Sequence, residues 1–96
     1  MNATRDAYVE KMKAKLDEWN ADIAKLEAKA IQKEADAQKQ YHERIASLKE
    51  KRNTVEEDLD KLRRAGSDAW EDLKTGFEMA ADSFGEALRS ARSRFQ

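Results

Sequence analysis

The stretch IQKEADAQKQ (31–40) decides the fold of this chain. A heptad seam runs up to it and another runs away from it. Either the helix passes straight through or the chain turns. The residues are good helix formers, and the stretch has no Gly, no Pro and no recognisable cap. It therefore reads as continuous helix, although it is the weakest part of the apolar pattern.

On its N-terminal side, apolar residues recur at steps of three and four: Val9, Met12, Leu16, Trp19, Ile23, Leu26 and Ala30. Such spacing places them on one stripe of a coiled-coil helix. On its C-terminal side a second seam runs Tyr41, Ile45, Leu48, Arg52, Val55, Leu59 and Leu62, with Ala37 leading into it. Ala30, Glu34, Ala37, Tyr41 and Ile45 include consecutive steps of four. That is a stutter, which unwinds a supercoil locally without breaking the helix. The expectation is one long helix over about residues 5–64, with Thr4 as N-cap and Asp6 in the positive first turn. Its length would be roughly 90 Å.

The first glycine of the chain ends that helix, in AGSDAWEDLKTGF (65–77). Arg63 and Arg64 suit the negative end of a helix. Gly66 can take the left-handed conformation beyond a helix end. Ser67 or Asp68 can cap the next helix, and Asp68 with Glu71 has capping-box spacing. Residues 65–68 thus read as a tight turn, followed by a shorter helix over about 68–94. Its seam is Trp70, Leu73, Phe77, Ala80, Phe84, Ala87 with Leu88, Ala91 and Phe95.

Facing positions in antiparallel helices share a constant sum of residue numbers. Leu62 with Trp70, Leu59 with Leu73, Val55 with Phe77 and Leu48 with Phe84 obey one such sum. Val9 with Leu62, Met12 with Leu59, Leu16 with Val55, Ile23 with Leu48 and Leu26 with Ile45 obey another. Each layer then holds three side chains. Two all-α architectures satisfy both sums. One is a monomeric three-helix bundle with a sharp turn near residues 35–36. The other keeps the long helix straight, as a helical hairpin with the shorter antiparallel helix. Two chains then form an antiparallel homodimer with a three-helix bundle at each end, the domain-swapped form of the first. The lack of turn chemistry in EADAQ (34–38) favours the swapped homodimer.

The composition narrows function by exclusion. The chain has 96 residues, 41% of them charged, and nineteen basic residues nearly cancel twenty acidic ones. A nucleic-acid footprint would need a basic face. With no Cys there is no disulfide framework, thiol nucleophile or Cys-based metal site. No stretch reaches the ~20 apolar residues of a membrane span, and MNATRDAYVEKMK (1–13) lacks an apolar signal core. A soluble, cytoplasmic protein is expected.

No residue reads as catalytic, cofactor-binding or metal-ligating, and no cofactor or small-molecule substrate is expected. His42 is the single histidine. Its helical neighbours Gln38, Lys39, Ile45 and Ala46 offer no ionic ligand, and Lys39 stands where a Glu-x-x-His site needs Glu. Glu56, Glu57, Asp58 and Asp60 read as a solvated face. Arg52 is the one charged seam residue. It reads as a side chain that stacks on Trp19 and carries its head outward, with register fixing as the functional alternative. Trp70, Phe77, Phe84, Leu88 and Phe95 make the shorter helix strongly amphipathic. It is either the third core strip of a bundle or a strip that inserts reversibly into a lipid or granule surface.

With YVEKMKAKLDEWNADIAKLEAKA (8–30) and SDAWEDLKTGFEMAADSFGEAL (67–88), the chain resembles a family of short bacterial coiled-coil proteins. The resemblance covers almost the whole length and is most specific in LDEWNADIAKLEAKA (16–30) and SDAWEDLK (67–74). Some members are described as stress-response proteins and the rest as uncharacterised. The resemblance implies no catalytic residues. The shorter helix is also similar in composition to apolipoprotein-type and phasin-type amphipathic repeats. The function expected is therefore a non-enzymatic, stress-associated structural or protein-interaction module. The alternative is reversible binding of a lipid membrane or granule through the shorter helix.

Overall fold

A computed structural model of the chain describes residues 3–95. They form three helices, α1 (Ala3–Ile31), α2 (Ala35–Arg64) and α3 (Ser67–Arg94), with no strand among the described residues. Each helix is roughly 42–45 Å long. They lie side by side in a rod of 51 × 18 × 17 Å. The radius of gyration is 15.5 Å, against about 12.5 Å for a compact domain of this length. The excess reflects the rod shape.

Side-chain pairs fix the directions. Arg52 reaches Asn20, and Lys49 reaches Glu27, so α2 runs antiparallel to α1. Tyr8 meets Trp70, Trp19 meets Phe84, and Asp22 meets Arg92, so α3 runs parallel to α1. The fold is thus an all-α three-helix arrangement.

The helix expected over residues 5–64 is two helices, broken at Gln32, Lys33 and Glu34. A single chain can bury its first seam only by folding back on itself. Each large apolar side chain buried this way contributes ~1.5–3 kcal/mol. Several such side chains outweigh the few backbone bonds lost at the break, each worth about 1 kcal/mol net.

The second turn also differs in detail. Gly66 is not left-handed: its φ is −80° and ψ is 173°. It serves as the N-cap of α3, with no side-chain hydrogen bond from Ser67 or Asp68. The capping box does not form, because the helix starts at Ser67 and Asp68 already lies in its first turn. Thr4 likewise lies inside α1 rather than capping it.

The core follows the seams closely. Val9, Leu16, Ile23, Leu26 and Ala30 of α1 are buried, as are Ile45, Leu48, Val55, Leu59 and Leu62 of α2. From α3 come Trp70, Phe77, Ala81, Phe84, Leu88 and Ala91, with Phe95 just beyond its end. Met12, Trp19, Tyr41 and Leu73 are half-buried at its margin. Two alanines trade places relative to expectation: Ala81 is buried, and Ala80 lies at the margin. No buried side-chain N or O atom lacks a hydrogen-bond partner among the described residues.

Candidate functional site

A groove between α1 and α3 encloses about 690 Å³. It arises from a size mismatch. Trp19 stands on the α1 seam and lines the groove with the small residues Ala81 and Gly85 of α3. The indole packs edge-on against Phe84, with centroids 4.9 Å apart. A Cβ on Gly85 would lie 3.5 Å from its Cζ2, an ordinary contact. Met12 extends the apolar floor. Lys11, Lys15 and Arg89 on the rim face Glu18, Asp82 and Glu86. Lys15 Nζ sits 5.8 Å from the Trp19 ring centroid, a cation–π distance. The groove can seat an apolar side chain between charges of both signs. Its lining contains no Ser, Thr, Cys or His.

The second candidate is the α1–α2 hinge. Gln32 N–H donates to Lys29 O and Lys33 N–H to Ala30 O, each at 3.1 Å, which tightens the last turn of α1. Gln38, one turn into α2, reaches back. Its Nε2 donates to Lys33 O at 2.7 Å and to Ile31 O at 3.0 Å. Its backbone N–H closes the first turn of α2 on Glu34 O at 2.8 Å. A helix end leaves four carbonyls without intrahelical partners, and here one side-chain amide satisfies two carbonyls at the break. Lys33 Nζ lies 5.7 Å from the Tyr41 ring centroid. Tyr41 stacks on Phe95 with centroids 3.8 Å apart, joining the hinge to the end of α3. Ile31 is 70% exposed, one of two large apolar residues described as exposed.

The remaining singled-out residues have surface roles. Arg52 does not stack on Trp19. Its guanidinium donates to Asn20 Oδ1 at 3.3 Å and to Asn53 Oδ1, and Glu56 lies 3.8 Å away. These polar partners at the rim of the α1–α2 seam hold it off the indole. His42 is exposed. Asp60 pairs with Arg63 at 2.6 Å and Arg64 at 2.8 Å. The hydrogen bond from Arg63 holds the Asp60 carboxyl below the usual carboxylate range. Among the described residues no group of three or more His, Asp or Glu side chains is placed to hold a metal ion. No described helix is long and apolar enough to cross a membrane.

Three residues that the seams did not mark carry much of the local geometry. Tyr8 lies beside Val9 and packs edge-on against both Trp70 and Phe77. Burial, with the hydrogen bond and negative charge of Glu78 and the charge of Asp82, pushes its phenol pKa up to about 12. Lys74 Nζ sits 4.9 Å from its ring centroid. Tyr8 stands one turn before Met12 and widens the apolar face of α1 toward α3. Ala81 is buried and lines the groove that Trp19 also lines. Gln38 carries no local signal, since its partners lie five and seven residues upstream.

No protein-family model matches the chain, and no curated protein or solved structure matches it.

Proposed function

We propose that this chain is a non-enzymatic, stress-associated protein-interaction module that pairs with a second copy of itself by exchanging α1. The observation that supports this is the α1–α2 hinge. It joins two helices that pack well in one chain, yet its residues are ones a straight helix accepts. No described residue there has positive φ, and no Gly or Pro enforces the turn. If the hinge straightens, α1 leaves its own α2 and α3 and finds the same partners on another copy. The core contacts are then conserved, and the two forms differ mainly at the hinge and in the entropy of association.

The stress association rests on the resemblance to short bacterial coiled-coil proteins. It also rests on a highly charged sequence without Pro or Cys, which suits repeated unfolding and refolding in the cytoplasm. Binding of lipid through α3 would require that helix to leave the bundle, because Phe77 and Phe84 are fully covered and Phe95 nearly so.

Sedimentation velocity over a wide concentration range tests the pairing. The proposal expects a concentration-dependent species at twice the 11.0 kDa chain mass. A chain-mass species at every concentration would refute it. Flotation with neutral and anionic liposomes, with helicity followed in parallel, tests the lipid route. Protein that stays in the dense fraction with unchanged helicity keeps the bundle closed, and co-flotation would shift the function to α3.

A further inference from the structure

We infer that Gln38 is the latch of the hinge: its side-chain amide holds α1 and α2 folded back, and its release lets a second copy of this chain exchange α1. This rests on the self-pairing reading above and adds the residue that governs it.

In a continuous helix, Ile31 O would accept from the N–H of Ala35, and Lys33 O from the N–H of Ala37. The break removes both bonds. Gln38 Nε2 carries two protons and directs them at those same two carbonyls, at 3.0 and 2.7 Å. One side chain therefore replaces what the helix ladder would have supplied. Elsewhere the hinge is weakly committed. The N-cap Glu34 makes no side-chain cap hydrogen bond. Gln32, Lys33, Glu34 and Ala35 all favour helix.

The open form has something to gain at the same place. Ile31 is 70% exposed in the closed bundle. On a straight helix, Ile31, Ala35 and Gln38 lie one above another. This strip flanks the Ala30, Ala37 and Tyr41 seam. In two straight copies running antiparallel about a two-fold near residues 35–36, Ile31 sits at the edge of the interface, and the two carbonyls bond to backbone again, which leaves the Gln38 amide free.

Two substitutions push the hinge in opposite directions. Ala35→Pro suits the closed form. Pro is favoured at the first position of a helix, and Glu34 already has the φ of −63° and ψ of 158° required before proline. In a straight helix the same proline is strongly unfavourable. Gln38→Ala removes the latch while favouring helix. Gln38→Glu keeps the side-chain size but has no N–H to donate.

The test is sedimentation velocity of wild type, Ala35→Pro, Gln38→Ala, Gln38→Glu and the Ala35→Pro/Gln38→Ala double variant, with circular dichroism to verify helicity. The expected result is a dimer dissociation constant at least about tenfold lower for both Gln38 variants, from two hydrogen bonds lost in each closed copy. Ala35→Pro, alone or in the double variant, should be a folded monomer throughout. If wild type dimerises, Ala35→Pro abolishes the dimer and neither Gln38 variant changes its affinity, the latch is refuted while pairing by exchange stands. If the double variant dimerises as strongly as Gln38→Ala, association does not use the straightened hinge and the inference fails. If every protein is monomeric at all concentrations, both the latch and the self-pairing reading fall.

Discussion

The two turns of the bundle do the same topological work by different means. The α2–α3 turn, at Ala65 and Gly66, is two residues long and uses backbone alone. Ala65 N–H closes on Leu62 O, and Ala69 N–H on Gly66 O, each at 3.2 Å. The chain simply runs extended through Ala65 and Gly66. The α1–α2 turn has three residues of good helix formers and depends on a side chain from the following helix. The first kind of turn interrupts the helix by local backbone preference. The second has backbone bonds of its own and, in addition, a side-chain amide that bonds two carbonyls at the break. The comparison teaches that similar hairpins can differ in what replaces the broken backbone ladder, and the proposed exchange of α1 rests on that difference.

The largest expected effect removes what both turns serve. Phe84 is fully buried, with Trp19 against its ring. Phe84→Ala should lower stability by about 3–5 kcal/mol, measured by urea unfolding. A loss below about 1 kcal/mol would mean that the three helices are not packed as described.

Proline at equivalent places in the two turns sharpens the comparison. Ala35 and Ser67 each open a helix after an extended residue, so both should accept proline without unfolding. A straight helix through residue 35 would suffer by ~3 kcal/mol per copy. Ala35→Pro should therefore suppress self-association, whereas Ser67→Pro should leave it unchanged and raise the melting temperature slightly. Equal effects on association would erase the distinction between the turns.

Smaller effects come from glycine and from pH. A Cβ on Gly76 meets nothing within 4 Å, so Gly76→Ala should stabilise α3 by about 0.5–1 kcal/mol, seen as a higher urea midpoint. The Tyr8 phenol is raised from its usual 10.0 to about 12 in the bundle. The folded state therefore holds that proton more tightly than the unfolded chain. The associated stability is fully present below pH about 10 and declines as pH rises toward 12. Phenolate absorbance should titrate later in the native protein than in urea, and Glu78→Gln should bring the two curves closer.

Much of this was legible in the residue pattern. The heptad steps located the buried stripes of α1 and α2, and Gly66 marked the second turn. The pattern placed the side chains of α3 to within one position: Ala81 is buried where Ala80 is the seam residue by spacing. The hinge was not legible. Every cue used to end a helix is local, and IQKEADAQKQ has none of them. The break becomes favourable through burial of a seam that reaches back to Val9, and through Gln38, whose bonds form only after the chain has turned. Gly66 misled in the other direction: its extended backbone does not need glycine, and a Cβ there would meet nothing within 4 Å. The groove was hidden for a related reason. Trp19 reads as a core residue by spacing, but its bulk against Ala81 and Gly85 leaves it half-buried.

The most direct test of the reversible hinge is the distance between spin labels at Glu18→Cys and Lys51→Cys on one chain, diluted into excess unlabelled protein. Both sites are exposed, and no native cysteine competes. In the closed bundle both positions lie within two residues of the Asn20–Arg52 contact between α1 and α2, so they stay close. On a straight helix they lie roughly 50 Å apart. The account predicts a short distance in dilute solution and a growing population near 50 Å as unlabelled protein is added. A short distance alone at every concentration would contradict it.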